Sequence, residues 1–431
     1  MDSLLTTKHH FSSDLKQTKL MTAHLFSWLA LALLIVSCST PQKTGAPLSY
    51  DPPGSTNTRT KSIELQKKGT FTIDGVSVSN KFDGARMNAF EKLTDSLYQI
   101  SIYPENAPIN MSPWYSFKIR SEERKEIYLH LKYRDGKHRY YPDHSHDGIQ
   151  WQPLDSTRYV VHEKDSAVLR LSLTNRYQWI SAQELLTSDN NEDWISQMAT
   201  SDFVLRKPIG KSRNDRELTA LQIAIAQKQP LLIVISRQHP PEVTGYMAMK
   251  AFVEELISTT ALVEKFREKF SIVVVPMLNP DGVDNGHWRH NTGGVDLNRD
   301  WQFYNQPEID QFQQYIHQLV KMNELDVVLG LDFHSTHNDL LYTFNNETFP
   351  DQNGVVKTWI KRLREAFPDE TITEEDGGAE SPVSKNWFLH EFKAEAVTYE
   401  VGDDTPREFV QAKGKASARI FMELLLDKYA R

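Results

Sequence analysis

Two histidines and a glutamate have the residue types and spacing of a catalytic zinc site. His239 and Glu242 form His-x-x-Glu shortly after the apolar run 231–235, and His334 follows another apolar run later in the chain. Residues three apart on such a turn can bind one ion. Two imidazoles and one carboxylate leave the fourth zinc position open for water, as in catalytic sites. His-x-x-Glu alone occurs by chance in many chains, and His337 is an alternative ligand.

A further carboxylate lies at the end of an apolar run. Glu400 lies near the end of the apolar run 394–401. Burying a carboxylate is costly, so a glutamate at the end of an apolar strand needs a reason. Hydrolysis by a zinc-bound water requires that the water lose a proton and that the leaving group gain one, and one carboxylate can do both in turn. The alternative is a salt-bridged glutamate at a strand end.

Short motifs follow one another in a characteristic order. They are RQHPPE (237–242), NPDG (279–282) with Arg289 beyond it, VDLNRDW (295–301), LDFHS (331–335) and VTYEV (397–401). In this order and at these distances they resemble the zinc carboxypeptidases of the M14 type. SPWYSF (112–117) and RYYPDHSHDG (139–148) resemble the small β-domain of the cytosolic-carboxypeptidase-like branch, which has bacterial members. The resemblance covers about residues 66–431.

This resemblance implies the metal and its ligands. One Zn²⁺ per chain would be bound by His239, Glu242 and His334. Zinc-bound histidines usually donate their second ring N–H to a carboxylate or carbonyl. Asp296 has the family's position for this role toward His239, although an aspartate there could also cap a loop. His337 would then lie in the wall of the site.

The resemblance also implies the groups that carry out hydrolysis. Glu400 would activate the zinc-bound water as a base and then protonate the leaving amine. Arg289 would stabilise the oxyanion together with zinc. Asn298 and Arg299 would bind the free terminal carboxylate of the substrate, since a planar guanidinium pairs bidentately with a carboxylate.

One segment departs from the digestive members of the family. The tyrosine that caps the substrate in those enzymes would fall at Gly378 here, which puts a tyrosine lid in doubt. Lys385 has the position that lines the base of the pocket for the terminal side chain. A lysine in a partly dry pocket favours a negative partner. We therefore expect a preference for acidic C-terminal residues, unless Lys385 reaches solvent or pairs with Glu380.

The elements that must carry these residues alternate between strand and helix patterns. Strand patterns occur at 231–235, 271–275, 326–330 and 394–401, and helix patterns at 243–259, 306–323, 355–367 and 407–429. Residues 186–431 are therefore predicted to form an α/β catalytic domain with a mostly parallel mixed sheet covered by helices, the zinc carboxypeptidase fold. In such folds the site forms at the carboxyl ends of the strands.

Residues 66–185 are predicted to form a small antiparallel β-sandwich that precedes the catalytic domain. Short period-two runs recur between turn signals, at 69–75, 97–103, 127–133 and 167–173. His144 and His146, with their aspartate neighbours, are interpreted as a polar turn, since two histidines in a loop lack the geometric support of a helix pair.

The N-terminal segment has the features of a bacterial lipoprotein. Lysines precede the apolar stretch 25–36, which ends in the lipobox-like Ile-Val-Ser-Cys at 35–38. Cys38 is the only cysteine of the chain. We predict a signal peptide over 1–37, a lipid anchor on Cys38 and a flexible tether over 38–65, rich in Ser, Thr and Pro.

Composition limits the partners and the location. The 431 residues are 39% hydrophobic and 25% charged, with a net charge of -8. This fits a globular protein without a basic face for nucleic acid. The lipid anchor predicts a place in the bacterial cell envelope, facing the periplasm or the outer membrane. The expected substrate is a peptide or a peptidoglycan peptide, and the sequence leaves the oligomeric state open.

Two alternative functions fit parts of these observations. A zinc amidase or deacylase acting on peptidoglycan stem peptides or N-acyl amino acids would share the His-x-x-Glu motif, the distant histidine and an arginine for a carboxylate. The β-domain and the Asn298–Arg299 pair favour the peptidase. A non-enzymatic binding protein on this scaffold would normally have lost a ligand or the base, and this chain retains them all.

Overall fold

The structure is a computed structural model that describes residues 57–162, 165–344 and 354–429. The predicted signal peptide, most of the predicted tether and Cys38 lie outside these residues. Among the helices described, none combines the length and the apolar character needed to cross a membrane.

Two sheets formed by residues 70–181 pack around a shared apolar core. Their strand orders are β1-β2-β5-β11-β7-β8 and β3-β4-β6-β10-β9. The strands are β1 (Thr70–Ile73), β2 (Val76–Ser79), β3 (Ala89–Lys92), β4 (Leu97–Ile102), β5 (Ser116–Ser121), β6 (Lys125–Tyr133), β7 (Asp143–Ser145), β8 (Gln152–Pro153), β9 (Tyr159–His162), β10 (Ser166–Leu173) and β11 (Gln178–Ser181). Alternate residues of β6 and β10 point into the core, as a period-two pattern requires. We call residues 70–181 the β-domain.

The pairing of these strands is antiparallel with one exception. β4 and β6 pair in parallel, because β5 lies between them in the chain and belongs to the other sheet. His144 lies within β7, and the turn follows it at residues 146–149, so the predicted polar turn begins inside a short strand.

An eight-stranded mixed sheet carries the rest of the chain. Its order is β12-β13-β15-β14-β16-β19-β17-β18. The strands are β12 (Val204–Lys211), β13 (Glu217–Ile223), β14 (Pro230–Ser236), β15 (Ser271–Val275), β16 (Asp326–Thr336), β17 (Leu340–Thr343), β18 (Thr373–Asp376) and β19 (Glu395–Gly402). The central strands β15, β14, β16 and β19 run parallel to one another. Their side chains are buried on both faces, as the continuous apolar runs predict.

Helices cover both faces of this sheet. They are α1 (Ser188–Met198), α2 (Val243–Leu256), α3 (Ala261–Arg267), α4 (Pro280–Asp284), α5 (Pro307–Asn323), α6 (Gly354–Ala366), α7 (Ser384–Phe392) and α8 (Arg407–Tyr429). One core lies between the sheet and α1, α2, α3, α6 and α8, and a second core lies between the sheet and α5 and α7. The predicted fold class, a mixed sheet covered by helices and preceded by a sandwich, is confirmed.

One strand is longer than its apolar pattern. The run that predicts a strand stops at Gly330, yet β16 continues to Thr336 and pairs with β14 and β19. Asp332 and His334 interrupt the apolar pattern without ending the strand, because both neighbours continue the hydrogen-bond ladder. His334 therefore lies inside a strand and not beyond its end.

Candidate functional site

The predicted ligands come from the ends of two neighbouring strands. His239 follows β14 on a turn in which Arg237 has a φ of 52°, in the left-handed region. The buried Arg237 guanidinium stabilises this turn by donating a 2.8 Å hydrogen bond to the Pro240 carbonyl. Glu242 directly precedes α2. The partial positive charge of a helix N-terminus favours a carboxylate at this position.

The second histidine and the predicted base lie side by side on parallel strands. His334 of β16 is directly opposite Glu400 of β19 in the strand register. Because both strands run in the same direction, both side chains reach the same end of the sheet. The position of α2 is also fixed by β16, since a Cβ added at Gly245 would lie 2.1 Å from the His334 carbonyl oxygen.

Three donor atoms converge in a buried cluster. Nδ1 of His239 lies 2.8 Å from Oε1 of Glu242, and Nδ1 of His334 lies 2.7 Å from Oε2 of the same carboxylate. The two Nδ1 atoms are 3.2 Å apart. In the described part of the chain, no other group of three His, Cys, Asp or Glu side chains brings its ligand atoms this close.

Each imidazole has a carboxylate on its other nitrogen. Nε2 of His239 lies 2.8 Å from Asp296 Oδ1, and Nε2 of His334 lies 2.7 Å from Asp332 Oδ2. A carboxylate accepts a hydrogen bond from a nitrogen that bears a proton. Each Nε2 therefore carries the proton, and each Nδ1 presents a lone pair. Two lone pairs and a carboxylate that face one another repel unless a cation lies between them. The donor set therefore fits one zinc ion.

Asp332 is a functional residue that the sequence analysis missed. Its position two residues before His334 on a strand puts both side chains on one face, a signal present in the sequence. The buried carboxylate also accepts hydrogen bonds from Gln238 Nε2, at 2.6 Å, and from Ser384 Oγ. These bonds hold the Asp332 carboxylate, and therefore the His334 ring, in one orientation.

Asp296 connects the metal site to the predicted oxyanion arginine. Oδ2 of Asp296 accepts a 2.7 Å bond from Arg289 Nε, while Oδ1 lies against His239. Burial by itself would raise the pKa of Asp296, but Arg289 and His239 hold it well below its usual range. Asp296 therefore stays ionised and orients both partners, consistent with its predicted role beside His239.

The predicted carboxylate-binding pair is partly open to solvent. Arg299 keeps 43% of its side chain exposed, and its Nη1 donates to the Asn298 carbonyl oxygen at 2.8 Å. Asn298 is buried, and its Oδ1 accepts the Ser384 N–H at 2.9 Å. The guanidinium therefore has donors left to bind an anion.

One cavity of about 320 Å³ joins these groups. Its lining comprises Asn110, Ser112, Arg139, His239, Glu242, Arg289, Asn298, Arg299, His334, Ser335, Thr336, Tyr342, Gly377, Ser381, Val383, Lys385, Thr398 and Glu400. Oε2 of Glu400 is buried without a hydrogen-bond partner in the described part of the chain. Burial raises the pKa of Glu400 to about 7, against the opposing effect of His334.

Lys385 lines this cavity but is enclosed. Its side chain is 1% exposed, and Nζ donates to the carbonyls of Thr343, at 3.1 Å, and Gly378, at 2.9 Å. Nζ also lies 3.4 Å from the centre of the Phe344 ring. Burial lowers the pKa of Lys385 to about 7, while Asp376 acts in the opposite direction. The alternative pairing with Glu380 does not occur in the structure.

Other residues around the cavity differ from the sequence expectation. His337 is exposed and does not line the cavity, so the expectation that it forms part of the wall is wrong. Gly378 has a φ of +58° and open space beside it. Tyr342 of β17 lines the cavity, and so does Arg139 of the β-domain. Tyr342 belongs to no motif, and the motif that Arg139 begins, RYYPDHSHDG, indicates the β-domain but not a place in the cavity.

The mixed sheet and the buried donor set fit a protein that binds one metal ion, and comparison with known proteins gives the family. The family model described as "Zinc carboxypeptidase" matches residues 191–417, more than half of the chain. The chain belongs to the zinc carboxypeptidase family, whose members are zinc metallocarboxypeptidases. Zinc is accordingly the metal for the His239–Glu242–His334 cluster.

Two individual relatives are similar to this chain, and one of them has a carboxypeptidase name. An uncharacterised protein of Zymomonas mobilis is 22% identical over 352 residues, which are 77% of this chain and 90% of that protein. Cytosolic carboxypeptidase 6 of Mus musculus is 23% identical over 271 residues, 54% of this chain and 47% of that protein. This chain thus spans about half the length of the mouse relative.

Solved structures show the same fold. A metallo-carboxypeptidase from Burkholderia cenocepacia has a TM-score of 0.69 and 16% identity, covering 82% of this chain and 99% of that chain. A metallo-carboxypeptidase from Pseudomonas aeruginosa, solved in complex with (2-guanidinoethylmercapto)succinic acid, has a TM-score of 0.65 and 19% identity, covering 82% and 100%. The match includes the β-domain as well as the large sheet.

His239→Ala should remove the metal. The purified wild type is expected to hold one zinc ion per chain, and the variant close to none, because two donors and an open solvent path do not retain zinc. Metal analysis after dialysis measures this. Glu400→Gln is the matched control, since it changes the same cavity without removing a ligand. Stoichiometric zinc in the His239 variant would remove this residue from the ligand set.

Proposed function

We propose that this protein hydrolyses the C-terminal peptide bond of peptides with a free terminal carboxylate. The observation that carries the proposal is the single cavity that holds the metal-ligand cluster, an unpartnered carboxylate oxygen of Glu400 and the open guanidinium of Arg299. An exopeptidase needs all three: a metal, a base and an anchor for the chain end.

The residues around the cavity divide the reaction between them. Bound zinc would polarise the scissile carbonyl and lower the pKa of a water molecule. Glu400 takes a proton from the attacking water and delivers it to the leaving amine. Arg289, held by Asp296, faces the negative charge that develops on the carbonyl oxygen. Asn298 and Arg299 hold the terminal carboxylate, which places the last peptide bond beside the base.

Arg299→Ala tests the exopeptidase assignment. Loss of a charged, bidentate contact should lower kcat/KM for free-acid peptides by about 10–100-fold. The same peptides amidated at the C terminus never had this contact, so their slow hydrolysis should hardly change. Arg176→Ala, an exposed arginine of the β-domain, is the control. Equal losses on both peptide sets would contradict a carboxylate-binding role.

Glu400→Gln should bind zinc and substrate but turn over slowly. Glutamine keeps the shape of the side chain and cannot accept the proton, so kcat should fall by about 10²–10⁴-fold while KM changes little. Steady-state kinetics with zinc content measured on the same preparation checks this. A kcat within a few-fold of the wild type would exclude Glu400 as the base.

We also propose a preference for acidic C-terminal residues. Lys385 lines the cavity and has no direct ion pair within the described residues, since its contacts are two carbonyls and an aromatic ring. An incoming Glu or Asp side chain would supply the missing negative charge and favour the protonated amine. Peptidoglycan stem peptides carry such carboxylates and belong to the same substrate class.

Lys385→Met should weaken this preference while the pocket stays filled. Methionine has similar length and no charge, so the ratio of kcat/KM for peptides ending in Glu to those ending in Leu should fall about tenfold. The panel should include stem peptides. Lys357→Met on the exposed face of α6 is the matched control. An unchanged ratio would show that Lys385 does not contact the terminal side chain.

A lipid anchor on Cys38 completes the proposal and places the enzyme in the bacterial cell envelope. The support is the lipobox-like sequence before the only cysteine. The wild type expressed in bacteria should incorporate labelled palmitate and sediment with membranes, whereas Cys38→Ser should remain unlabelled. Equal labelling of both forms would contradict anchoring at Cys38.

A further inference from the structure

A carboxylate of the β-domain is buried against the loop that carries Arg289. Glu105 follows β4, is 0% exposed and accepts hydrogen bonds from three consecutive peptide N–H groups. Oε2 accepts from Trp288 N at 2.8 Å, and Oε1 accepts from Arg289 N at 3.0 Å and His290 N at 2.6 Å. The carboxylate thus binds the backbone on both sides of the predicted oxyanion arginine.

This contact is charged and fully enclosed. Burial alone would raise the pKa of Glu105, but nearby His287 and Arg86 hold it below its usual range. Hydrogen bonds from N–H groups to an ionised carboxylate are stronger than neutral ones, and removing such an acceptor leaves buried donors unsatisfied. The loop backbone therefore has little freedom while Glu105 is ionised.

Neighbouring residues of the β-domain hold the same loop. Asn106 Oδ1 lies 2.6 Å from His290 Nδ1, and Asn106 Nδ2 donates to the Gly294 carbonyl at 3.0 Å. The indole of Trp288 lies in the β-domain core and donates to the Trp114 carbonyl at 3.1 Å. The loop is therefore held by Glu105, by Asn106 and by the β-domain core around Trp288. The β-domain itself contributes no metal ligand.

Side-chain hydrogen bonds connect this loop to the metal site. The Arg289 side chain donates to Asp296, and Asp296 accepts from His239. A shift of the backbone at residues 288–290 moves the guanidinium and loosens the partner of a metal ligand. Misplacement of a catalytic group by about 1 Å can cost 10²-fold in rate.

We propose that Glu105 is a positioning residue that holds Arg289 in its catalytic geometry, so that the β-domain is an integral part of the active site. That Glu105 holds the loop rests on the three backbone hydrogen bonds. That it affects the rate rests on the proposed function. Holding Arg289 in position would then be a role of the β-domain.

Glu105→Gln tests the structural part without any substrate. An amide has one acceptor oxygen and an NH₂ group that cannot accept, so at least one of the three bonds is lost. Hydrogen exchange measured by mass spectrometry should be about tenfold faster in peptides that span residues 286–294, and unchanged in peptides of β5. Gln99→Ala is the control, a buried residue of β4 whose side chain contacts Glu91 and His130 within the β-domain. Unchanged exchange at 286–294 in the Glu105→Gln variant would overturn the proposal.

A double-mutant cycle tests the kinetic part. Glu105→Gln should lower kcat about tenfold with KM and zinc content nearly unchanged, whereas Gln99→Ala should lower stability alone. In an Arg289→Ala background, Glu105→Gln should change kcat less than twofold, because the group it positions is gone. Equal effects in both backgrounds would mean general damage and would overturn the positioning role.

Two further outcomes are distinguishable. If Glu105→Gln does not fold, Asn106→Ala removes milder contacts to the same loop and should speed exchange at 286–294 and lower kcat in the same direction; no change in either would overturn the proposal. If the wild type releases no C-terminal residue from any peptide, the proposed function fails, while loop exchange still decides whether Glu105 holds Arg289.

Discussion

The metal site depends on the two carboxylates behind its histidines. Asp296 and Asp332 each bind the Nε2 of one imidazole, and this fixes which nitrogen faces the metal. Each carboxylate has further partners of its own. Arg289 supplies the positive partner of Asp296, and Gln238 and Ser384 donate to Asp332. The orientation of the two histidine ligands is thus set by the residues that hydrogen-bond to them.

This arrangement explains why the site lies where three central strands end. The ends of β14, β16 and β19 bring together residues distant in the chain, and the parallel register aligns His334 with Glu400. Asp296 and Asp332 hydrogen-bond the two imidazoles, which offsets part of the cost of burying these polar groups. The hydrogen bonds from the backbone of residues 288–290 to Glu105 join the β-domain to these groups.

Regular elements with strong patterns could be predicted from the sequence. β15 and α8 have the predicted bounds because an unbroken apolar run defines β15 locally and a long helix pattern defines α8. The donor cluster could be predicted because the family motifs mark its residues. β16 could not be delimited, since Asp332 and His334 resemble a strand end until their pairing with both neighbours is known.

The contributions of the β-domain and of Tyr342 to the cavity could not be predicted. Tyr342 belongs to no motif, and although Ser112 and Arg139 begin the motifs SPWYSF and RYYPDHSHDG, their place beside the metal site is set only in three dimensions. The enclosure of Lys385 is likewise decided by two carbonyls, that of Thr343 at the end of β17 and that of Gly378 in a loop whose path the sequence does not specify. Local pattern therefore predicts the reacting groups better than it predicts what surrounds them.

The cavity wall comes from two parts of the chain. The metal ligands, Glu400 and the two arginines fall within residues 191–417, whereas Asn110, Ser112 and Arg139 lie outside that segment. Arg139 joins the two parts, because its Nε donates to Asp403 Oδ2 at 2.8 Å and its Nη1 donates to Ser112 Oγ at 2.9 Å. A protein trimmed to the matched segment would therefore lose one side of the cavity while it kept every reacting group.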